Sequence, residues 1–346
     1  MTIGSEPTAD PTLAHLRECL ERELDAISGG RLGEATTPEP FGEGHSGFTY
    51  ATTITDGAGT RDLVLRLSPP GARISGPADV GRQGRIMRSL AASGVPVPAV
   101  IACSSEPAID GRSYMLVERV AGVDHAEALA VTSAAAVAEA ALGVCRALAA
   151  VVPGREAFGD APTSVPTAEL SRWDDLLGRC SPAVEASGRR LGSALLAAAP
   201  ERREASIFHG DFHYGNLLFG RDSSDVVAVL DWELAGTGAA AWDLGSLIVA
   251  TLRRRYEPRE PNSMGGPDVS PAWLAAAYGV DAEEGAWFAA AACLKYTAII
   301  GFNLELHRGG KREDPEYARL LETLDGLPRD GLALLRDGLP ERVERG

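Results

Sequence analysis

The residues most able to do chemistry lie in IFHGDFHYGNLLFG, Ile207–Gly220. An aspartate and an asparagine, Asp211 and Asn216, stand five residues apart in a polar loop that runs into a short apolar strand. A second apolar strand, VVAVL, delivers Asp231 at its carboxyl end, within VLDWE. Two strands bracketing a polar loop would gather Asp211, Asn216 and Asp231 into one cluster. That set suits phosphoryl transfer. One carboxylate orients and deprotonates an acceptor hydroxyl, while an amide oxygen and a second carboxylate hold the magnesium that bridges nucleotide phosphates. A lone loop aspartate is ordinarily a turn former or a cap; the H-G-D-x-x-x-x-N spacing with a downstream apolar run ending in Asp sets Asp211 apart. His209 reads as structural, holding the loop through bonds to backbone carbonyls. His213 stays open between a structural and a catalytic role. His209, Asp211 and His213 also spell the H-x-D-x-H run of a metallohydrolase, but His15, His45, His125 and His307 make no second metal-like motif.

The elements that must position these residues belong to a chain of 346 residues, long enough for two domains. Its 45% hydrophobic and 23% charged residues are those of an ordinary globular protein. With 33 basic and 48 acidic side chains the net charge is −15, which repels polyanions. The expectation is no nucleic-acid partner and a mild preference for cationic small molecules. Cys19, Cys103, Cys145, Cys180 and Cys293 are scattered and form no C-x-x-C pair, so a reducing, cytoplasmic location is the simplest expectation. The opening MTIGSEPTAD has no signal-peptide pattern. Ala126–Val152 carries Glu127, Glu139 and Arg146 and reads as one soluble core helix, so no membrane partner is expected.

Leu13–Ser28 has helical apolar spacing and ends at Gly29-Gly30. FGEGHSGFTYATTIT, the DGAG turn and RDLVLRLS read as a β-hairpin opened by a glycine loop. Val80–Leu90 is a helix stopped by the VPVP run, and Tyr114–Val120 is a further strand. After Gly122 the chain turns mainly helical, with strands at Asn216–Phe219 and Val226–Leu230. Helices are expected over Glu169–Gly178, Ala183–Ala199, Trp242–Arg255, Pro271–Tyr278, Glu284–Arg308 and Pro315–Arg336, with a polar loop at Glu257–Ser270. Arg253–Arg255 reads as a solvated helix end, and Trp242, Trp273 and Trp287 read as core.

HGDFHYGN, LDWE and AWDLGSL together resemble the aminoglycoside phosphotransferase family, whose protein-kinase-like fold also includes choline kinases. The resemblance covers roughly Phe41–Gly310. It implies an α+β, two-lobed protein-kinase-like fold. Residues 1–121 would be a small β-rich nucleotide-binding lobe led by helix 13–28. Residues 122–346 would be a larger, mainly helical lobe with catalytic loop 209–216, Asp231 and the substrate pocket. By position Asp211 resembles the catalytic base, Asn216 and Asp231 the magnesium ligands, and Asp243 a buried structural aspartate. The phosphate-covering loop falls on Gly42, Gly44, Ser46 and Gly47, where glycines let backbone amides approach phosphates. The hinge that binds adenine falls on Val117, Glu118 and Val120.

Two positions depart from the pattern. Arg66 stands where the family has its phosphate-gripping lysine, and Gln83 where it has the partner glutamate. A permanently charged Arg66 supported by Gln83 could still grip phosphate; an exposed strand arginine is the alternative. The expected activity is transfer of the γ-phosphoryl group of ATP or GTP, with Mg2+, to a hydroxyl of an aminoglycoside-like, sugar or amino-alcohol substrate. A non-catalytic nucleotide-binding pseudokinase is the alternative, and the metallohydrolase is a third reading. The acceptor pocket is expected from Trp242 onward, near Arg254, Glu305 and His307.

Overall fold

The computed structural model describes residues 11–29, 33–41, 48–57, 59–159, 165–201, 205–256, 265–311 and 320–343. They form two compact units. The first comprises Met1–Ser93, Val97–Ala121 and Asp231–Leu234; the second comprises Gly94–Pro96, Gly122–Leu230 and Ala235–Gly346. The short segment that carries Asp231 thus packs with the first unit, whereas the sequence reading grouped it with the helical lobe.

The first unit begins with α1, Pro11–Ser28, and ends it at Gly29 in the left-handed region, φ 62°. Its sheet contains β1 (Glu34–Ala35), β2 (Glu39–Pro40), β3 (Phe48–Asp56), β4 (Gly59–Leu67), β5 (Val100–Ile109) and β6 (Arg112–Glu118). The order is β1-β3-β4-β6-β5 with β2 on β3, and the pairs are antiparallel. Alternation along β4 puts Leu63, Leu65 and Leu67 on one buried face, where they join Leu16, Leu20 and Leu24 of α1 in one core. Arg66 lies between two of these leucines and so faces the other side. Helix α2 (Val80–Ala91) is started by the Asp79 side chain, which accepts from Arg82 N. Strand β5 was not foreseen. Its sequence, VIACSSEPAI, holds a proline, and its pairing with β6 shifts register twice, which erases the alternation a strand normally shows.

In the second unit the Ala-rich run is two helices rather than one: α3 (His125–Val131) and α4 (Ala134–Ala150). Ser133 accepts from Ala136 N and restarts the chain as a new helix, a local hydroxyl bond that apolar spacing does not reveal. Then come α5 (Arg155–Phe158), α6 (Ala168–Leu177) and α7 (Pro182–Ala197). Strand β7 (Ser206–Phe208) precedes β8 (Leu217–Phe219), β9 (Val226–Val229) and β10 (Gly236–Gly238). They pair as β7 with β10 and β8 with β9, both antiparallel. Helices α8 (Ala241–Arg253), α9 (Pro271–Tyr278), α10 (Ala282–Arg308) and α11 (Leu321–Asp337) follow.

Helix α10 is long and apolar enough to cross a membrane, but 89% of its apolar window is buried inside the protein, as befits a core helix. It packs on α8 around Trp242, Trp287 and Phe288, whose rings meet edge to face at 5.0–6.0 Å. The approach is close because residue 245 is glycine: a Cβ there would sit 2.3 Å from Phe288 O. These two helices bring Asp243 and Lys295 to the backbone of His209 and Gly210.

Candidate active site

The loop that joins β7 to β8 is anchored by alternate aromatics. Phe212 and Tyr214 are fully buried, so Asp211 and Asn216 turn toward the partly exposed side. Gly210 takes φ 84°, a left-handed turn that suits glycine. His209 is buried, with Nε2 2.8 Å from Leu230 O and Nδ1 accepting from Asp211 N at 3.2 Å. A carbonyl accepts only and a backbone N–H donates only. His209 is therefore a neutral imidazole with its proton on Nε2, a structural brace with no lone pair left for a metal. Leu230 N donates to Asn216 O at 2.8 Å, which ties the end of the second strand to the loop.

The Asp211 carboxylate is held at both oxygens. Tyr296 donates its hydroxyl to Oδ1 at 3.0 Å, Lys295 Nζ lies 3.8 Å from the same oxygen, and His213 Nε2 lies 3.5 Å from Oδ2. Burial would raise the pKa of this acid, but His213 and Lys295 outweigh it and hold the carboxyl well below the usual carboxylate range. Asp211 is thus an anion at neutral pH, with its side chain 27% exposed. His213 Nδ1 accepts from Gly215 N at 3.1 Å, and its Nε2 lies 3.3 Å from Asn216 Nδ2, so the ring is held between the two. Asn216 Nδ2 donates to Asp211 O at 2.9 Å, which orients the amide.

Asp243 is fully buried at the first turn of α8 and accepts from His209 N at 2.7 Å and Gly210 N at 3.0 Å. Burial pushes its carboxyl up to about 7, against those two bonds and Lys295. Lys295 donates to Gly210 O at 2.9 Å and to Ser246 Oγ at 2.8 Å. Burial lowers its pKa, and Asp211 and Asp243 oppose that. The Gly210 residue is therefore clamped at its N–H by α8 and at its C=O by α10.

In the first unit, Arg66 Nη1 donates to Asp231 Oδ1 at 2.9 Å and Nη2 to Glu233 Oε2 at 3.2 Å. Asp231 itself takes φ 62°, a left-handed conformation that aspartate tolerates better than most residues. The expected support of Arg66 by Gln83 is not formed. Gln83 is buried, its Nε2 donates to Pro77 O at 3.3 Å, and its Oε1 has no hydrogen-bond partner among the described residues. The reason is geometric: Asp231 and Glu233 offer charged acceptors that outcompete a neutral amide. Val117 is buried in β6, paired with Val64 and Val100, while Glu118 ends the strand and its N–H donates to Ala99 O at 2.9 Å. Val120 lies beyond the strand, half-buried. Gly42, Gly44, Ser46 and Gly47 lie outside the described residues.

Two further expectations are corrected. Arg253 is not a solvated helix end: it is 2% exposed, with its guanidinium 5.9 Å from the Tyr296 ring, although Arg254 and Arg255 do pair at the surface with Asp268 and Asp330. Trp273 is 37% exposed, unlike the buried Trp242 and Trp287. Sequence reasoning missed Glu233, Lys295 and Tyr296. A signal for Lys295 existed: of 33 basic residues only Lys295 and Lys311 are lysines, and Lys295 lies inside an apolar helix.

A family model described as the phosphotransferase enzyme family matches residues 37–287. The chain belongs to that family. Its protein-kinase-like fold is the one that the resemblance implied, and the metallohydrolase reading falls with it. Among curated proteins, the chain is 28% identical over 272 residues to mouse acyl-CoA dehydrogenase family member 10, covering 75% of this chain and 25% of that protein. It is 27% identical over 196 residues to chicken acyl-CoA dehydrogenase family member 11, covering 54% and 25%. The chain therefore spans about a quarter of the length of these relatives. Among solved structures, a Ralstonia eutropha protein described as a candidate aminoglycoside phosphotransferase superposes with TM-score 0.71 at 21% identity, over 93% of this chain and 98% of that one. A thermostable D198A mutant of aminoglycoside phosphotransferase APH(4)-Ia, in ternary complex with ADP and hygromycin B, superposes with TM-score 0.59 at 17% identity, over 90% and 98%.

Proposed function

We propose that this phosphotransferase moves the γ-phosphoryl group of a nucleoside triphosphate to a hydroxyl of a small molecule. The observation that carries this is Asp211: an ionised, partly exposed carboxylate held on a backbone clamped from two helices. The acceptor oxygen forms its bond to the γ-phosphorus as the bond from phosphorus to the diphosphate breaks, and the hydroxyl proton passes to Asp211. The donor set fits magnesium: Asn216 and Asp231 supply hard oxygen ligands and no sulfur or imidazole. Magnesium held there would neutralise phosphate charge. Arg66 would contact phosphate through a fork that can also serve Asp231 and Glu233. Val117, Glu118 and Val120 are proposed at the adenine or guanine, and Gly42, Gly44, Ser46 and Gly47 over the phosphates.

The fold shared with a solved structure that holds ADP and hygromycin B supports a nucleotide and a small-molecule acceptor. The test is a diphosphate-release screen with Mg-ATP and Mg-GTP against aminoglycosides, sugars and amino-alcohols. Hydroxyacyl thioesters belong in the panel because of the names that the curated relatives carry. Transfer to one acceptor, lost in Asp211→Asn, supports the reading. Tight Mg-nucleotide binding with no transfer to any acceptor would instead favour the pseudokinase.

A further inference from the structure

We propose that Lys295 and Tyr296, consecutive residues on α10, are positioning residues for the acceptor step: both engage one oxygen of Asp211 and so fix the orientation of the carboxylate that receives the hydroxyl proton. The inference rests on the transfer reading above. Tyr296 donates to Oδ1 at 3.0 Å, and the Lys295 ammonium faces that same oxygen at 3.8 Å. Neither residue touches Oδ2, which has His213 Nε2 at 3.5 Å. The burial that holds Tyr296 also keeps its hydroxyl protonated, so it remains a donor.

Adjacent residues of a helix point about 100° apart, so both reach one carboxylate only because the lysine stem folds back. Its ammonium lies 4.1 Å from the centre of the Tyr296 ring, a cation–π contact. An ammonium has three donors. Two go to Gly210 O and Ser246 Oγ, and the charge faces Asp211. Ser246 in turn donates to Trp242 O at 3.2 Å, so its hydroxyl is free to accept from the lysine. The pair therefore acts on both ends of the reacting residue: the backbone just before Asp211 and the carboxylate itself.

The lysine is also out of keeping with the rest of the chain, which uses arginine for nearly all of its 33 basic side chains. The position is 3% exposed. A planar five-donor guanidinium would leave donors unpaired in so closed a space, whereas a compact ammonium satisfies its donors there.

The experiment compares Lys295→Met and Tyr296→Phe with wild type, using Mg-ATP or Mg-GTP and whichever acceptor the screen identifies. The expected result is a kcat loss of roughly 10–100-fold in each, the size of one charge-assisted hydrogen bond. KM for the nucleotide should stay within threefold of wild type, a split that a general loss of folding would not give. Tyr296→Phe keeps the ring under the ammonium and decides the matter if Lys295→Met fails to fold. A second readout needs no acceptor: the Tm shifts of Tyr296→Phe and Asp211→Ala should combine non-additively, because each change removes the same hydrogen bond. Wild-type transfer with both variants within twofold in kcat overturns the positioning role and leaves the transfer reading intact. Additive Tm shifts overturn it too. Absence of transfer from wild type to every acceptor overturns the parent reading, and this inference with it.

Discussion

Arg66 and Asp231 form an ion pair 2.9 Å long inside the first unit, and Glu233 takes the second arm of the same guanidinium at 3.2 Å. The arginine thus sets the carboxylate proposed as a magnesium ligand. Arg66→Ala should raise KM for the Mg-nucleotide by roughly 10–100-fold, since charge-assisted bonds of this kind contribute about 1.5–3 kcal/mol. Arg66→Lys should recover only part of this, because a point charge cannot fork between two carboxylates. Adding Gln83→Glu to Arg66→Lys should recover nothing further, as Gln83 bonds Pro77 O rather than Arg66. Steady-state kinetics of the four variants, with isothermal titration of Mg-nucleotide, check all three statements. Strong coupling between positions 66 and 83 would count against the observed pairing.

Replacing Asp211 by asparagine should reduce kcat by about 10²–10⁴, the usual cost of losing a general base. The amide still offers an oxygen to Tyr296, so Tm and nucleotide affinity should change little. Calorimetry beside the kinetic assay separates the two effects. A near-wild-type kcat would remove Asp211 from the proton-transfer role.

Asp243 gives stability a pH dependence whose sign can be worked out. An unfolded chain ionises this carboxyl near about 3.9, whereas burial in the fold keeps the proton up to about 7. The native state therefore binds more protons through that window. Its contribution to stability is fully present below the unfolded value and is lost as pH rises through about 7. Asp243→Asn should flatten the slope of Tm against pH between those limits. Equal slopes in the two proteins would mean that Asp243 is already ionised in the fold, held by its two backbone bonds.

Gly245→Ala should destabilise the second unit by about 1–3 kcal/mol, the usual cost of overpacking. The added carbon would meet Phe288 O at 2.3 Å, and a backbone atom in a core helix cannot yield as a side-chain tip would. Denaturant unfolding measures the loss. The kcat should fall as well, since α8 and α10 carry Asp243 and Lys295 to the loop.

The family and the fold were legible in the sequence because they rest on short local spacing. H-G-D-x-x-x-x-N is a single loop, and the apolar run before Asp231 is a single strand. Helices such as Pro271–Tyr278 were legible for the same reason, since caps and periodicity act within a few residues. Strand β5 was not, because its bulged pairing with β6 supplies what its own alternation lacks. Nor was the restart at Ser133, which depends on one hydroxyl. The partners of the reactive groups were decided by tertiary structure alone. Arg66 chose between Gln83 and the Asp231–Glu233 pair, which lie far from it in the chain. Lys295 and Tyr296 meet Asp211 across 84 and 85 residues because a glycine lets two buried helices close on each other. Local pattern names the candidate residue; long-range packing chooses the charges around it, and burial makes those charges strong enough to set its protonation state.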